Sequence, residues 1–180
     1  RLIMAQIDDF KANLLGGGAR SNQYRVSINE PSGVAIGLDV RRTSFLCSAT
    51  SLPSANIGTI PLTFRGRTVN IAGDREAPEA WTTTFYNDTD FMIRTALETW
   101  NNAINDFADN TGLTNTADYA TDLSVDQLDR DGTVLKSYIF RNAWPKTIAA
   151  ITLNSAESTT IETFDCTWEY QHFEASGVNF

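Results

Sequence analysis

The chain has 180 residues, enough for one domain with a substantial core, and its 14 Lys and Arg against 22 Asp and Glu give a net charge of −8. That balance argues against a protein that grips nucleic acid by neutralising phosphates. No run approaches the roughly 18 apolar residues that a bilayer-spanning helix needs, and no basic-plus-apolar leader is legible, so synthesis in the cytosol without membrane contact is expected.

Residue chemistry also narrows the function. Cys47 and Cys166 each occupy an apolar position of a predicted strand and are expected to be free and buried, since two isolated cysteines do not make a disulfide framework. His172, the single histidine, cannot supply a two-histidine metal site and reads as a packed or rim residue. There is no nucleophile elbow, no Cys–His pair in a suitable context, no phosphate-cradling glycine loop and no metal-ligand spacing. The expectation is therefore a protein without catalytic residues, metal or cofactor.

In chain order, Ile3, Ile7, Phe10 and Leu14 fall at helical spacing until Gly16-Gly17-Gly18, which should end the helix. Residues 1–18 thus read as a short amphipathic arm on a flexible joint, either a frayed terminus or a piece that docks on a neighbour. Tyr24, Val26 and Ile28 alternate with polar residues, predicting a strand over Gln23–Asn29 that Glu30-Pro31-Ser32-Gly33 turns. A glycine-broken connection over Val34–Arg42 leads to a second strand, Phe45–Thr50. Two prolines, Gly58 and Asn56 make Thr50–Leu62 a loop, with Ile57 and Ile60 exposed on it. Arg65, Arg67, Val69 and Ile71 then alternate along a long strand, Ala72-Gly73-Asp74-Arg75 turns, and Trp81, Thr83 and Phe85 mark the next strand. Three arginines near Asp74 and Glu76 suggest ion pairing, within the chain or across a subunit border, more than contact with DNA.

Asn87-Asp88-Thr89-Asp90 offers helix caps, and Ile93, Leu97, Trp100, Ile104 and Phe107 follow at spacings of four, three, four and three. This predicts a helix lying against one face of a sheet. Residues 108–132 are polar and read as a solvated insertion; their aspartates, Asp118, Asp122, Asp126, Asp129 and Asp131, fail the EF-hand pattern. A strand over Leu135–Ala143 should stop at Trp144-Pro145, and Ile148–Leu153 should form another. In the last predicted strand Glu162, Phe164, Cys166, Trp168, Tyr170 and His172 share one face, while Thr163, Asp165, Thr167 and Glu169 share the other. Such a strand suits either a sandwich with solvent outside or a barrel wall with solvent inside.

Several stretches stand in a telling order: Cys47-Ser-Ala-Thr-Ser-Leu-Pro53, Ile60-Pro61 through Arg67, Val69-Asn-Ile-Ala-Gly-Asp-Arg75, Trp81-Thr-Thr-Thr, Tyr86-Asn87-Asp88, Trp144-Pro145 and Glu162-Thr-Phe164. From about Ala19 to Phe173 this order resembles the tail-tube protein of contractile-tailed bacteriophages. The resemblance implies a β-rich (α+β) chain, an antiparallel β-sandwich or barrel-like tail-tube fold with one flanking helix, and one tail-tube domain over 19–180. It further implies homohexameric rings that share a β-barrel lumen and stack into the inner tube that conducts the genome during DNA ejection.

On that resemblance, the inter-ring loop comprises Ser51, Pro53, Asn56, Ile57 and Thr59, and Arg65, Arg67, Asp74 and Arg75 pair between subunits. Asp165 and Glu169, with Thr163, Thr167 and more weakly Glu162, face the lumen, where an acidic, hydroxyl-rich wall would not brake DNA. The implied partners are further copies of the chain, the sheath, baseplate, tape-measure and neck or terminator proteins, and passing double-stranded DNA bound without specificity. The implied location is the virion, after synthesis in host cytoplasm. Two alternatives share the architecture: the inner tube of a phage-derived contractile injection or type VI-like machine, and a tail terminator or baseplate hub.

Overall fold

The longest strand, β7 (Val134–Ile148), joins two halves of a seven-stranded antiparallel sheet. The computed structural model describes residues 2–178, and side chains from Ile7 onward. Its other elements are α1 (Leu2–Asn13), β1 (Tyr24–Ile28), α2 (Val40–Leu46), β2 (Cys47–Thr50), β3 (Ile57–Phe64), β4 (Arg67–Arg75), β5 (Trp81–Tyr86), α3 (Met92–Ile104), α4 (Thr116–Tyr119), β6 (Thr121–Leu128), β8 (Thr163–Glu169) and β9 (His172–Ala175). The main sheet runs β1-β6-β7-β8-β5-β2, with β9 also on β7, while β3 and β4 form a separate hairpin.

The first part of β7 pairs with β6 and β9, and its last part with β8. Asn142, with φ of 53°, makes the bend between them, a left-handed conformation that asparagine tolerates better than most residues. Proline was expected to stop this strand and does not. Only β8 pairs with the last part of β7, leaving its other edge without a strand, where the missing N–H costs nothing; there the Pro145 carbonyl accepts from Asn101 Nδ2 at 3.1 Å.

The two halves fold face to face as a sandwich. Trp81 of β5 stacks on Phe140 of β7 with ring centres 4.3 Å apart, and Trp168 of β8 meets Trp100 of α3 edge-on at 5.6 Å. Each of these tryptophans places its indole N–H on an acceptor: Trp81 on the Ser51 carbonyl, Trp100 on the Tyr119 carbonyl and Trp168 on Thr83 Oγ1. That pairing is what allows such large rings to be buried without stranding a donor. Cys47 and Cys166 are free and buried as expected; burial pushes the Cys47 thiol up to about 12 and raises Cys166 as well.

Several expectations are corrected. Phe45 and Leu46 belong to α2, which Asp39 caps by accepting from the Arg42 N–H at 3.1 Å; the strand starts only at Cys47. The solvated insertion holds for part of 108–132 only. Within it lie α4 and β6, an interior strand whose Leu123 and Val125 are buried and whose Asp126 is tied to Arg25 and Ser137. The strand expected over Ile148–Leu153 does not form, since β7 ends at Ile148 and residues 149–162 hold no strand, and the last predicted strand is two, β8 and β9, broken at Tyr170-Gln171 with an exposed His172. The helix α3 buries Ile93, Leu97 and Trp100 as foreseen but ends at Ile104, leaving Phe107 outside. Its chain doubles back there: Leu113 N–H reaches the Ala103 carbonyl at 3.1 Å, and a Cβ on Gly112 would lie 2.2 Å from the Ile104 carbonyl oxygen. Ile3, the first residue of the predicted arm stripe, lies outside the described side chains.

Candidate functional site

Among the described residues, no further strand pairs with either edge of the hairpin β3–β4. Its tip is the two-residue turn Arg65-Gly66, with φ of 48° and 77°, closing the pair Phe64↔Arg67. Glycine supplies the left-handed conformation that such tight turns need. Arg65, expected on a long strand, is therefore a turn residue. Ala72-Gly73-Asp74-Arg75, expected as a turn, is the end of β4. Of the expected inter-ring loop, Ser51, Pro53 and Asn56 lie in the connection, but Ile57 and Thr59 are already in β3.

Register then sorts the hairpin into two faces. The pairs Ile60↔Ile71, Leu62↔Val69 and Phe64↔Arg67 stand on one side, and Pro61↔Asn70 and Thr63↔Thr68 on the other. The apolar members of the first face, Ile60, Leu62, Phe64, Val69 and Ile71, are 48–67% exposed. An isolated two-stranded ribbon is marginal in water and needs a third strand or a helix against it. Contiguous apolar surface of this kind marks a contact site. Among the described residues Arg65, Arg67, Asp74 and Arg75 make no ion pair. The Arg65 guanidinium instead lies 5.2 Å from the Phe64 ring centre.

A second surface is the outer face of the β5–β8 half-sheet. Thr163, Asp165, Thr167 and Glu169 stand on it together, opposite the buried Phe164, Cys166 and Trp168. Thr84 and Thr82 of β5 lie beside Asp165 and Thr167. Thr84 Oγ1 donates to Asp165 at 2.6 Å, and Lys146 Nζ sits 2.7 Å from the Glu169 carboxylate. Glu162 precedes the strand and accepts from Asn87 Nδ2 at 3.0 Å, so it is set apart from this row. Among the described residues the half-sheet has no partner strand at either side, along β2 and along the last part of β7. Open edges of this kind invite pairing with another chain.

Sequence reasoning missed the outer face of the other half-sheet. There Asp126 accepts from Arg25 and Ser137, and Arg141 bridges Asp122 and Glu174. Those contacts raise the Arg141 guanidinium and hold Glu174 below the usual carboxylate range. The signal was available in Arg25 and Asp126, but only once β6 is placed beside β1. On the arm, Ile7, Phe10 and Leu14 are exposed, and Gly16, Gly17 and Gly18 all have positive φ. Among the described residues no cluster of three or more His, Cys, Asp or Glu is placed to hold a metal, and no helix is long and apolar enough to cross a membrane.

A bent antiparallel β-sandwich with a polar half-sheet face, edges without a partner strand among the described residues and a projecting amphipathic hairpin is the class of fold these elements define. A family model described as phage tail tube protein matches residues 19–176, and the chain belongs to that family. It is 28% identical over 169 residues to the tail tube protein of Serratia phage KSP90, covering 93% of this chain and 95% of the relative. It is 29% identical over 160 residues to tail tube protein gp19 of Enterobacteria phage T4, covering 88% and 93%. Among solved structures, the fold matches a chain of the PVC extracellular contractile injection system, from its sheath-tube complex in the extended state. The TM-score is 0.64 at 14% identity, over 93% of this chain and 97% of that one. A chain of the anti-feeding prophage tube-terminating cap matches with a TM-score of 0.62 at 18% identity, over 88% and 91%. The protein is a structural component of a phage tail tube.

Proposed function

We propose that six copies form a ring, that rings stack into the hollow inner tube of a contractile tail, and that the outer face of β5 and β8 lines the channel. The observation that carries this reading is the open half-sheet: its polar face is continuous and, among the described residues, neither edge has a partner strand, so neighbouring copies can close it into one barrel. The wall so formed presents threonine hydroxyls with Asp165 and Glu169, and the lysine beside them is held by Glu169. Few free cations means little counterion release when DNA passes, hence little binding to slow it.

Residues 19–180 act as one tube domain, and 1–18 as an arm that docks on a neighbouring subunit. The connection and hairpin from Ser51 to Arg75 reach the adjacent ring, where Arg65, Arg67, Asp74 and Arg75 pair across the border. Sheath, baseplate, tape-measure and terminator proteins complete the partners of a structural, non-catalytic subunit that is made in the host cytoplasm and ends in the virion. A tube for protein cargo is the second reading, suggested by the injection-system fold neighbours; the phage relatives at 28–29% identity favour DNA.

Negative-stain microscopy of the purified chain tests the proposal. Sixfold rings or hollow rods are expected, and a monomer at every concentration contradicts it. Particles carrying Asp165→Lys with Glu169→Lys should assemble yet eject DNA slowly; normal ejection would remove these residues from the channel.

A further inference from the structure

The helix α3 ends with an aromatic residue in an unexpected place. Phe107 continues the spacing of a stripe whose Leu97 and Trp100 are fully buried, yet it is 93% exposed. The loop carrying it is held in shape. Asp106 N–H donates to the Thr111 carbonyl at 2.8 Å, and Asn110 N–H donates to the Asp106 carbonyl at 3.0 Å. Asp106 Oδ1 accepts from the Ala108 N–H at 2.7 Å, and Oδ2 from Asn102 Nδ2 at 3.3 Å. Nothing in this hydrogen bonding requires a large apolar side chain at its apex.

We infer that the Asp106-Phe107-Ala108-Asp109 loop is the seat for the hairpin tip Phe64-Arg65-Gly66-Arg67 of a second copy. Charge points to that occupant. The chain as a whole carries −8, whereas residues 57–76 hold three arginines against Asp74 and Glu76, so the tip is a basic site in an acidic protein and its complement is the chain's own surface. Arg65 stands in the turn and Arg67 directly after it, while Asp106 and Asp109 stand on either side of Phe107. Within one chain no ion pair joins Arg65 or Arg67 to Asp106 or Asp109 among the described residues. The apolar surfaces agree with the charge: the exposed face of Leu62, Phe64 and Val69 offers Phe107 an apolar platform, and an aromatic anchor desolvated at the centre of a contact is where interface energy concentrates. Because tip and loop are different patches of one chain, the contact runs head to tail and repeats, closing a ring or extending a stack. The inference rests on the tube reading and names the surface that receives the hairpin.

Thiol cross-linking tests it with one exposed substitution beside each half of the contact, T68C and A108C, the native cysteines being buried. Mixed in equal amounts under conditions where the wild-type chain forms rods, the two variants should yield a covalent heterodimer with a short bismaleimide. Neither variant alone should do so. In parallel, R67D or D109R alone should lower rod yield about tenfold or more, and the two swapped proteins mixed should recover it. Wild-type rods without a heterodimer and without recovery would assign Phe107 to some other partner and overturn the contact while leaving the tube intact. A wild-type chain that never assembles would remove both.

Discussion

The sandwich and the hairpin solve opposite problems with the same alternation of residues. In the sandwich, every apolar face meets another face of the same chain: Phe164, Cys166 and Trp168 of β8 pack toward α3 and β5, and their polar alternates face out. In the hairpin, Ile60, Leu62, Val69 and Ile71 are as regularly placed as any core residue and touch solvent instead. Burial within the chain therefore explains the first region and fails to explain the second. The second is accounted for by the proposed contact, whose other half is another molecule.

Substitutions should separate the two regions sharply. Trp168→Ala removes a fully buried ring and should cost about 3–5 kcal/mol, seen as a fall in Tm of roughly 10 °C for a domain of this size. Thr83→Val keeps the shape but leaves the Trp168 N–H without its acceptor, so a loss of about 1–3 kcal/mol is expected in urea unfolding. A smaller effect should appear with acid. Hydrogen bonds from Arg42 hold Asp88 and Asp90 below the usual carboxylate range. Groups whose folded pKa is depressed stabilise above the unfolded value of about 3.9, and that stabilisation fades as pH falls through the folded values. Wild type should thus exceed Arg42→Met in Tm at pH 6, with the gap closing on acidification; a gap that widens would contradict the pairing. Smallest of all, Leu62→Ser with Val69→Ser should change the stability of the unassembled chain by no more than about 0.5 kcal/mol while abolishing rods.

Where the chain buries one face, the sequence was readable. β1, β5, β8 and the buried stripe of α3 came through because their alternation separates core from water, and the row Thr163, Asp165, Thr167 and Glu169 followed from its apolar complement. β6 was hidden because its two core residues, Leu123 and Val125, sit among aspartates whose partners, Arg25 and Arg141, lie on other strands. The hairpin limits were misjudged because neither of its faces is buried, so no hydrophobic phase separates Arg65 in the turn from Arg67 in the strand. Phe107 misled for a related reason: helical spacing says which way a residue would point, not whether the helix lasts long enough to carry it. In each case the missing information is a tertiary or intermolecular partner.

Hydrogen–deuterium exchange on the hairpin amides, in the dispersed chain and in rods, tests the central claim most directly. Residues 57–75 should exchange rapidly when dispersed and become strongly protected in rods, with β6, β8 and the core of α3 slow in both. Equal protection of the hairpin in the two states would mean that this segment is already satisfied by its own chain, and the account of it as an assembly surface would be wrong.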